Sequence, residues 1–299
     1  MEPLERTYEI KEVAELTGLS ASRLRAWERR YAVVRPPRQD NGYRAYTARQ
    51  VALLRAFARL VQAGERIGDL VDRPHDEVIA AAARQQPGGS PQSALLEAVK
   101  ALDRERLEML VAQQLSLHGL TGFAREVVLP LAQSVGDLWA LGVIPIAGEH
   151  LASEVVVHAL KGGLRVSRGT GPLVVAACLP DERHEWGFLC TLAVVHEDGW
   201  RVHYLGPDLP VQEVIEAAWR LRPACIALSA SHPDIVRDVL PALVHLSERL
   251  PPGVIPVIGG SGVEGHERRL VEAGFRVGSD PGALIEAVRP DTPQTPGGP

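Results

Sequence analysis

The sequence predicts a multidomain chain in three blocks. An α-helical winged helix-turn-helix comes first, then a bundle of four helices, then an α/β domain built on a parallel sheet. Three observations carry this reading. At 299 residues the chain is longer than one ordinary core encloses. The first 73 residues hold a balance of +4, leaving −9 on the remainder. From residue 172 the hydrophobic period changes from helical spacing to short apolar runs separated by amphipathic stretches.

Composition bounds the class. Hydrophobic residues make up 45% and charged residues 23%, ordinary values for a globular chain. No apolar run approaches the ~20 residues that span a bilayer, and the start, MEPLERTYEI, lacks an apolar segment. We therefore expect no signal peptide, no membrane partner and a cytoplasmic location. Cys178, Cys190 and Cys225 form no CxxC pair, so each is expected to be a small buried hydrophobe in a reducing compartment.

In the first block (1–75), residues 8–19 read as a helix, with a turn at Thr17–Gly18. Ser20 is a good N-cap for the next helix, ASRLRAWERRY, which sets arginines around an apolar face of Leu24 and Trp27. Pro36–Pro37 breaks helix, and Asn41–Gly42 signals a two-residue hairpin. A helix followed by a basic hairpin fits a reader of double-stranded DNA: the helix enters the major groove and the wing contacts backbone.

Residues 76–92, with QQPGGSPQ at their end, read as a linker. In the second block (93–170), Leu95, Leu96 and Val99 form one stripe, and Leu107, Leu110 and Val111 another, behind Asp103 as N-cap. Two further helices fit at about 121–140 and 146–166.

The third block (171–289) carries apolar runs at 173–178, 202–206, 225–230, 254–259 and 275–278. Helical stretches lie between them at about 187–198, 211–221, 233–249 and 263–273, with one more at 281–288. This is a Rossmann-like domain, and the flavodoxin-like order 2-1-3-4-5 would bring three loops to one pocket. The loops are DERHEWG (181–187), SASH (229–232) and GGSG (259–262). Residues 290–299 read as a disordered tail.

In those loops His184 supplies an imidazole, Glu182 a partner for it, Ser229 a short hydroxyl, and Gly259–Gly260 room for close approach. Two rivals are weak. Gly260-x-Gly262-x-x-Gly265 matches a dinucleotide fingerprint but follows the fourth strand instead of the first. A zinc hydrolase centred on Glu182, His184 and Glu185 lacks a second His at ligand spacing.

Resemblances sharpen the reading. Trp27–Tyr31 and Gly42–Tyr46 resemble the W-E-R-R-Y and basic wing of the MerR family, with Ala32 where that family often has Gly. The likeness implies a DNA face of Ser22, Arg23, Arg25, Arg29 and Arg30 with Arg38, Tyr43, Arg44 and Tyr46. Glu182-x-His184-x-x-Gly187, then Ser229-x-Ser231 after 41 residues, then Gly259–Gly260 after 27, resemble the cobalamin-binding pattern D-x-H-x-x-G, S-x-L, G-G. Glu and Ser231 replace its Asp and Leu. The resemblance implies His184 as lower cobalt ligand and Glu182 as its partner, with Gly187, Ser229, Gly259 and Gly260 also binding the cofactor, the last three lining a slot for its tail.

Trp139-x9-Glu149-His150 resembles the motif that caps the upper face in CarH-type and LitR-type light-dependent regulators. That likeness implies adenosylcobalamin as chromophore, a repressor, and a homo-oligomer, dimer or tetramer, controlled by light. One departure stands out: several such photoreceptors have His directly after the Trp, where this chain has Ala140. His150 and His158 are candidate substitutes. A sensor of another cobalamin form or tetrapyrrole, and a corrinoid module for methyl transfer, are the alternatives.

Overall fold

The structure, a computed structural model, describes residues 7–38, 42–84, 91–166 and 170–278. Asn41 of the expected turn, linker residues 85–90, the helix expected at 281–288 and the tail at 290–299 lie outside them. The chain forms two compact units, Met1–Leu110 with Pro130–Ala152, and Val111–Leu129 with Ser153–Pro299.

In the first unit, strand β1 (Thr7–Tyr8) pairs antiparallel with β2 (Tyr46–Thr47). Helix α1 (Ile10–Thr17) is shorter than the sequence suggested, because Tyr8 enters the sheet and Glu9 takes the capping position, its amide bonded to Glu12 at 2.7 Å. Helix α2 (Ala21–Tyr31) starts at Ser20, whose side chain accepts from the Arg23 amide, and buries Leu24 and Trp27 as expected. It ends on Ala32, a non-glycine in left-handed geometry (φ 49°, ψ 34°).

On the wing, Arg38 forms an antiparallel bridge with Arg44, and residues 39–41 of the expected turn lie outside the described residues. Thr47 and Gln50 then cap α3 (Ala48–Gln62) reciprocally, at 3.2 and 3.1 Å. Helices α4 (Ile67–Val71) and α5 (His75–Arg84) follow, so residues 76–84, expected as linker, are helical.

Helix α6 (Pro91–Lys100) buries Leu95, Leu96 and Val99. Asp103 caps α7 (Arg104–Gly122), accepting from the Arg106 amide at 3.0 Å. That helix is broken at Gly119 (φ 67°, ψ 178°), close to where the next helix was expected to begin. A π-helical turn (Phe123–Val128) leads into α8 (Leu129–Ala140), and α9 spans Ile146–Val166.

The second unit carries the parallel sheet: β3 (Leu173–Cys178), β4 (Arg201–Gly206), β5 (Cys225–Ser229), β6 (Ile255–Gly259) and β7 (Arg276–Gly278), in spatial order β4-β3-β5-β6-β7. This is the expected 2-1-3-4-5 arrangement. Helices α10 (Trp186–Glu197), α11 (Val211–Leu221), α12 (Pro233–Arg249) and α13 (Glu267–Glu272) connect the strands. The core between sheet and helices includes Val175, Ile226, Leu228, Leu240, Leu243 and Ile258, all buried. The central strand β5 is buried along its whole length, which is why it reads as a continuous apolar run. All three cysteines are buried and unpaired by disulfide, as expected.

Candidate functional site

The strand order places the ends of β3 and β5 side by side, and the loops after β3, β5 and β6 meet there. Leu179 donates its amide to Ser229 O at 3.0 Å, and Ala230 donates to Gly259 O at 3.1 Å. Ser261 Oγ donates to Ser231 O at 2.7 Å. Backbone and side chain therefore sew the three loops into one cluster.

Glu182 is its buried centre, with no side-chain exposure. Its Oε1 accepts the His184 amide at 2.7 Å and lies 2.8 Å from His184 Nδ1. Its Oε2 accepts the Ser231 amide. Burial by itself would raise the carboxyl's pKa, but the hydrogen bonds from His184 and Ser231 outweigh it and hold the group at about 2. Glu182 is thus an anion, and an anion at Nδ1 favours the proton there. The His184 side chain itself is 82% exposed. Ser231 Oγ sits 3.2 Å from the same Nδ1.

The glycines have separable reasons. A Cβ on Gly260 would lie 2.2 Å from Ala230 O, and its φ is +93°, so the fold itself demands glycine there. A Cβ on Gly187, in the first turn of α10, would meet nothing within 4 Å. The space it leaves is open and available to a ligand. Ser229 is buried at the end of β5, beside Gly259 in the sheet register.

A second group escaped the sequence reading. Glu185 accepts a hydrogen bond from Tyr204 OH at 2.7 Å and pairs with Lys161 at 2.6 Å, and Trp186 Nε1 donates to Ser153 Oγ at 2.9 Å. Lys161 and Ser153 lie on α9, far away in sequence and with no motif to mark them. Ser231, which stands where the cobalamin-binding pattern has Leu, serves the Glu182–His184 pair with both its amide and its hydroxyl.

In the first unit, Trp139 is the penultimate residue of α8 with 43% of its surface exposed, and Val143 in the following turn and Ile146 at the start of α9 are exposed as well. Glu149 in the first turn of α9 and His150 directly after it have side chains 4.0 Å apart, with His150 75% exposed. Ala140 is the last residue of α8.

On the winged reader, Ser22, Arg23, Arg25, Arg29 and Arg30 are exposed on α2, and Ser22 Oγ contacts Ser20 Oγ at 2.9 Å. Arg38 donates to Gly42 O at 3.3 Å, and Tyr43 is 64% exposed. Arg44 is half-buried and donates to Glu28 Oε2 at 2.7 Å. Tyr46 corrects the expectation for it: the side chain is fully buried, and its hydroxyl donates to Glu28 Oε1. Burial and the Glu28 carboxylate raise its pKa and keep the phenol protonated. Tyr46 and Arg44 clasp Glu28, the Glu of W-E-R-R-Y, so that it locks wing to recognition helix.

Comparison with known proteins accords with this geometry. The MerR HTH family regulatory protein model matches residues 8–71, and two B12-binding domain models match residues 92–161 and 172–288. HTH-type transcriptional repressor CarH of Myxococcus xanthus is 34% identical, over 88% of this chain and 92% of its own length. CarA of the same organism, also an HTH-type transcriptional repressor, is 28% identical over 93% of this chain and 95% of its own. The monomethylamine corrinoid protein of Methanosarcina barkeri superimposes with a TM-score of 0.51 at 14% identity, covering 64% of this chain and 93% of that one. Among the described residues no helix is long and apolar enough to cross a membrane.

Proposed function

The chain belongs to the MerR-type transcriptional regulators that carry B12-binding domains, the group of CarH and CarA, and from that premise we propose that it is a light-responsive repressor using adenosylcobalamin as its chromophore. DNA binding and cobalamin binding follow from membership; the adenosyl form, the ligation and the light response are the proposal.

The observation that carries it is the His184–Glu182 pair. An exposed imidazole whose Nδ1 is held by a buried carboxylate is oriented as a metal-ligating histidine needs to be, and this is the arrangement that would suit a cobalt ligand. His184 would hold cobalt from below, with Glu182 fixing its ring. Ser229, Gly259 and Gly260 would accommodate the displaced nucleotide tail, and Gly187 would also bind the cofactor. Trp139, Glu149 and His150 would contact the upper group, and the exposed apolar surface at Trp139, Val143 and Ile146 favours such a contact. Adenosylcobalamin supplies a cobalt–carbon bond that light breaks.

The DNA-binding face is proposed as Ser22, Arg23, Arg25, Arg29, Arg30, Arg38, Tyr43 and Arg44, with Tyr46 supporting the wing from inside. Cofactor binding is proposed to favour a homo-oligomer, dimer or tetramer, so that several readers engage one operator. The gain in apparent affinity needs no new contact. It does require that the intact cofactor bind the assembled state more tightly than the dissociated one.

The test is direct. The protein is purified with adenosylcobalamin in the dark, and absorbance and oligomer mass are followed through green light. A change in both is expected; a spectrum and mass that ignore illumination would sink the photoreceptor reading. Ala140 favours one second reading, a sensor of another cobalamin form, in which binding persists but light does nothing.

A further inference from the structure

Glu182 secures only one side of His184. The two residues that follow it are held by helix α9. Directly after His184, Glu185 Oε1 accepts from Tyr204 OH at 2.7 Å and pairs with Lys161 Nζ at 2.6 Å. The next residue, Trp186, donates its indole N–H to Ser153 Oγ at 2.9 Å. Ser153 and Lys161 stand on one helix roughly 12 Å apart along its axis. One rigid element therefore grips two consecutive residues at two points.

The grip is reinforced from the sheet. Lys161 Nζ lies 5.3 Å from the centre of the Tyr204 ring, which meets the Phe188 ring edge-on at 6.0 Å. Tyr204 OH is also 3.4 Å from Cys178 Sγ. The Glu185 side chain is only 12% exposed, and a carboxylate that dry depends on its cation and its donor.

We propose that Ser153 and Lys161, acting through Trp186 and Glu185, are positioning residues for His184, fixing the direction in which its imidazole leaves the protein. This rests on the reading of His184 as cobalt ligand. Glu182 sets the rotation of the ring; the α9 clamp sets where the backbone beneath it sits. Without Lys161, Glu185 turns toward water, the start of α10 loses its anchor, and the ring keeps its partner but not its place.

Two measurements test this. In the cofactor-free protein, hydrogen exchange of the His184 amide reports opening of the loop, because that amide is bonded to Glu182. Lys161→Met is expected to exchange it about tenfold faster, the equivalent of one charged hydrogen bond, and Lys161→Arg to restore the slow rate. With cob(II)alamin as probe and protein labelled with 15N-histidine, Lys161→Met is expected to reduce the histidine nitrogen splitting in the electron paramagnetic spectrum, and Lys161→Arg to retain it. Ser153→Ala, the milder variant, is expected to move both readouts in the same direction. Wild-type exchange and wild-type splitting in Lys161→Met would overturn the proposal. So would equal acceleration in the Met and Arg variants, which marks general destabilisation. A His184→Ala protein that kept the histidine splitting would instead refute the ligand assignment, while the exchange measurement would still decide the clamp.

Discussion

Ala32 shows what one residue in the wrong conformation costs. Its left-handed backbone closes α2, with its amide donating to Glu28 O at 3.0 Å. Alanine holds that geometry at about 1 kcal/mol above its preferred state, whereas glycine holds it freely. Ala32→Gly is therefore expected to raise stability by ~0.5–1 kcal/mol, read from the denaturant midpoint; a lowered midpoint would contradict the strain. Glu182 makes the second prediction. Its pKa in the folded protein, about 2, lies below the usual 4.5. The stabilisation it brings is complete above about pH 4.5 and is lost as pH falls from there toward 2, at most ~3 kcal/mol. Glu182→Gln is expected to be less stable at pH 7 and to flatten the acid limb of the stability profile. An acid limb identical in wild type and variant would count against the buried anion. The His184 side of this pair was legible in the sequence through its spacing to Ser229 and Gly259. The role of Ser231 was not, because it rests on a backbone amide, which every residue type but proline supplies. Tyr46 was misassigned for a related reason: a wing tyrosine next to arginines reads as a DNA contact, and only packing shows it turned inward.

Among elements, the strands were the most legible, since a sheet buried on both faces writes its strands as unbroken apolar runs. Contacts between helices distant in sequence were not, since no spacing encodes them. The ion pair of Arg55 on α3 and Asp137 on α8 is the clearest example. The charges are 2.5 Å apart, each side chain only 16% exposed, and Arg55 Nε also donates to Leu16 O at 2.8 Å. Burial raises the pKa of Asp137 more than Arg55 and Arg59 lower it, so desolvation exceeds the attraction. Such a pair adds little net stability, yet breaking it from one side is costly. An adjoining cavity of about 60 Å³ admits water, which places the cost toward the low end. Arg55→Ala is expected to lose ~2–3 kcal/mol, while the double replacement Arg55→Met with Asp137→Leu recovers most of it. Calorimetric unfolding of wild type, Arg55→Ala and the double variant decides: a double variant no more stable than Arg55→Ala would count against the pair.

At the scale of the whole molecule, the asymmetry of charge decides how DNA is approached. The reader end carries +4 and the remainder −9, so phosphate attracts one end of the chain and is repelled by the other. The cationic face concentrates on α2, where Arg23, Arg25, Arg29 and Arg30 are all exposed. Each arginine that neutralises a phosphate adds ~0.9 to the slope of log K against log salt. Arg25→Ala is accordingly expected to reduce that slope by about one, and Tyr46→Phe to leave it unchanged, because the Tyr46 hydroxyl is spent on Glu28 inside the fold. The same slope counts readers. If adenosylcobalamin in the dark brings two readers onto one operator, the number of neutralised phosphates doubles, and the slope should roughly double relative to the cofactor-free chain. Green light should return it to the single-reader value. A rise in affinity at constant slope would mean that the cofactor tightens one reader without recruiting another, and the assembly mechanism would then have to be abandoned.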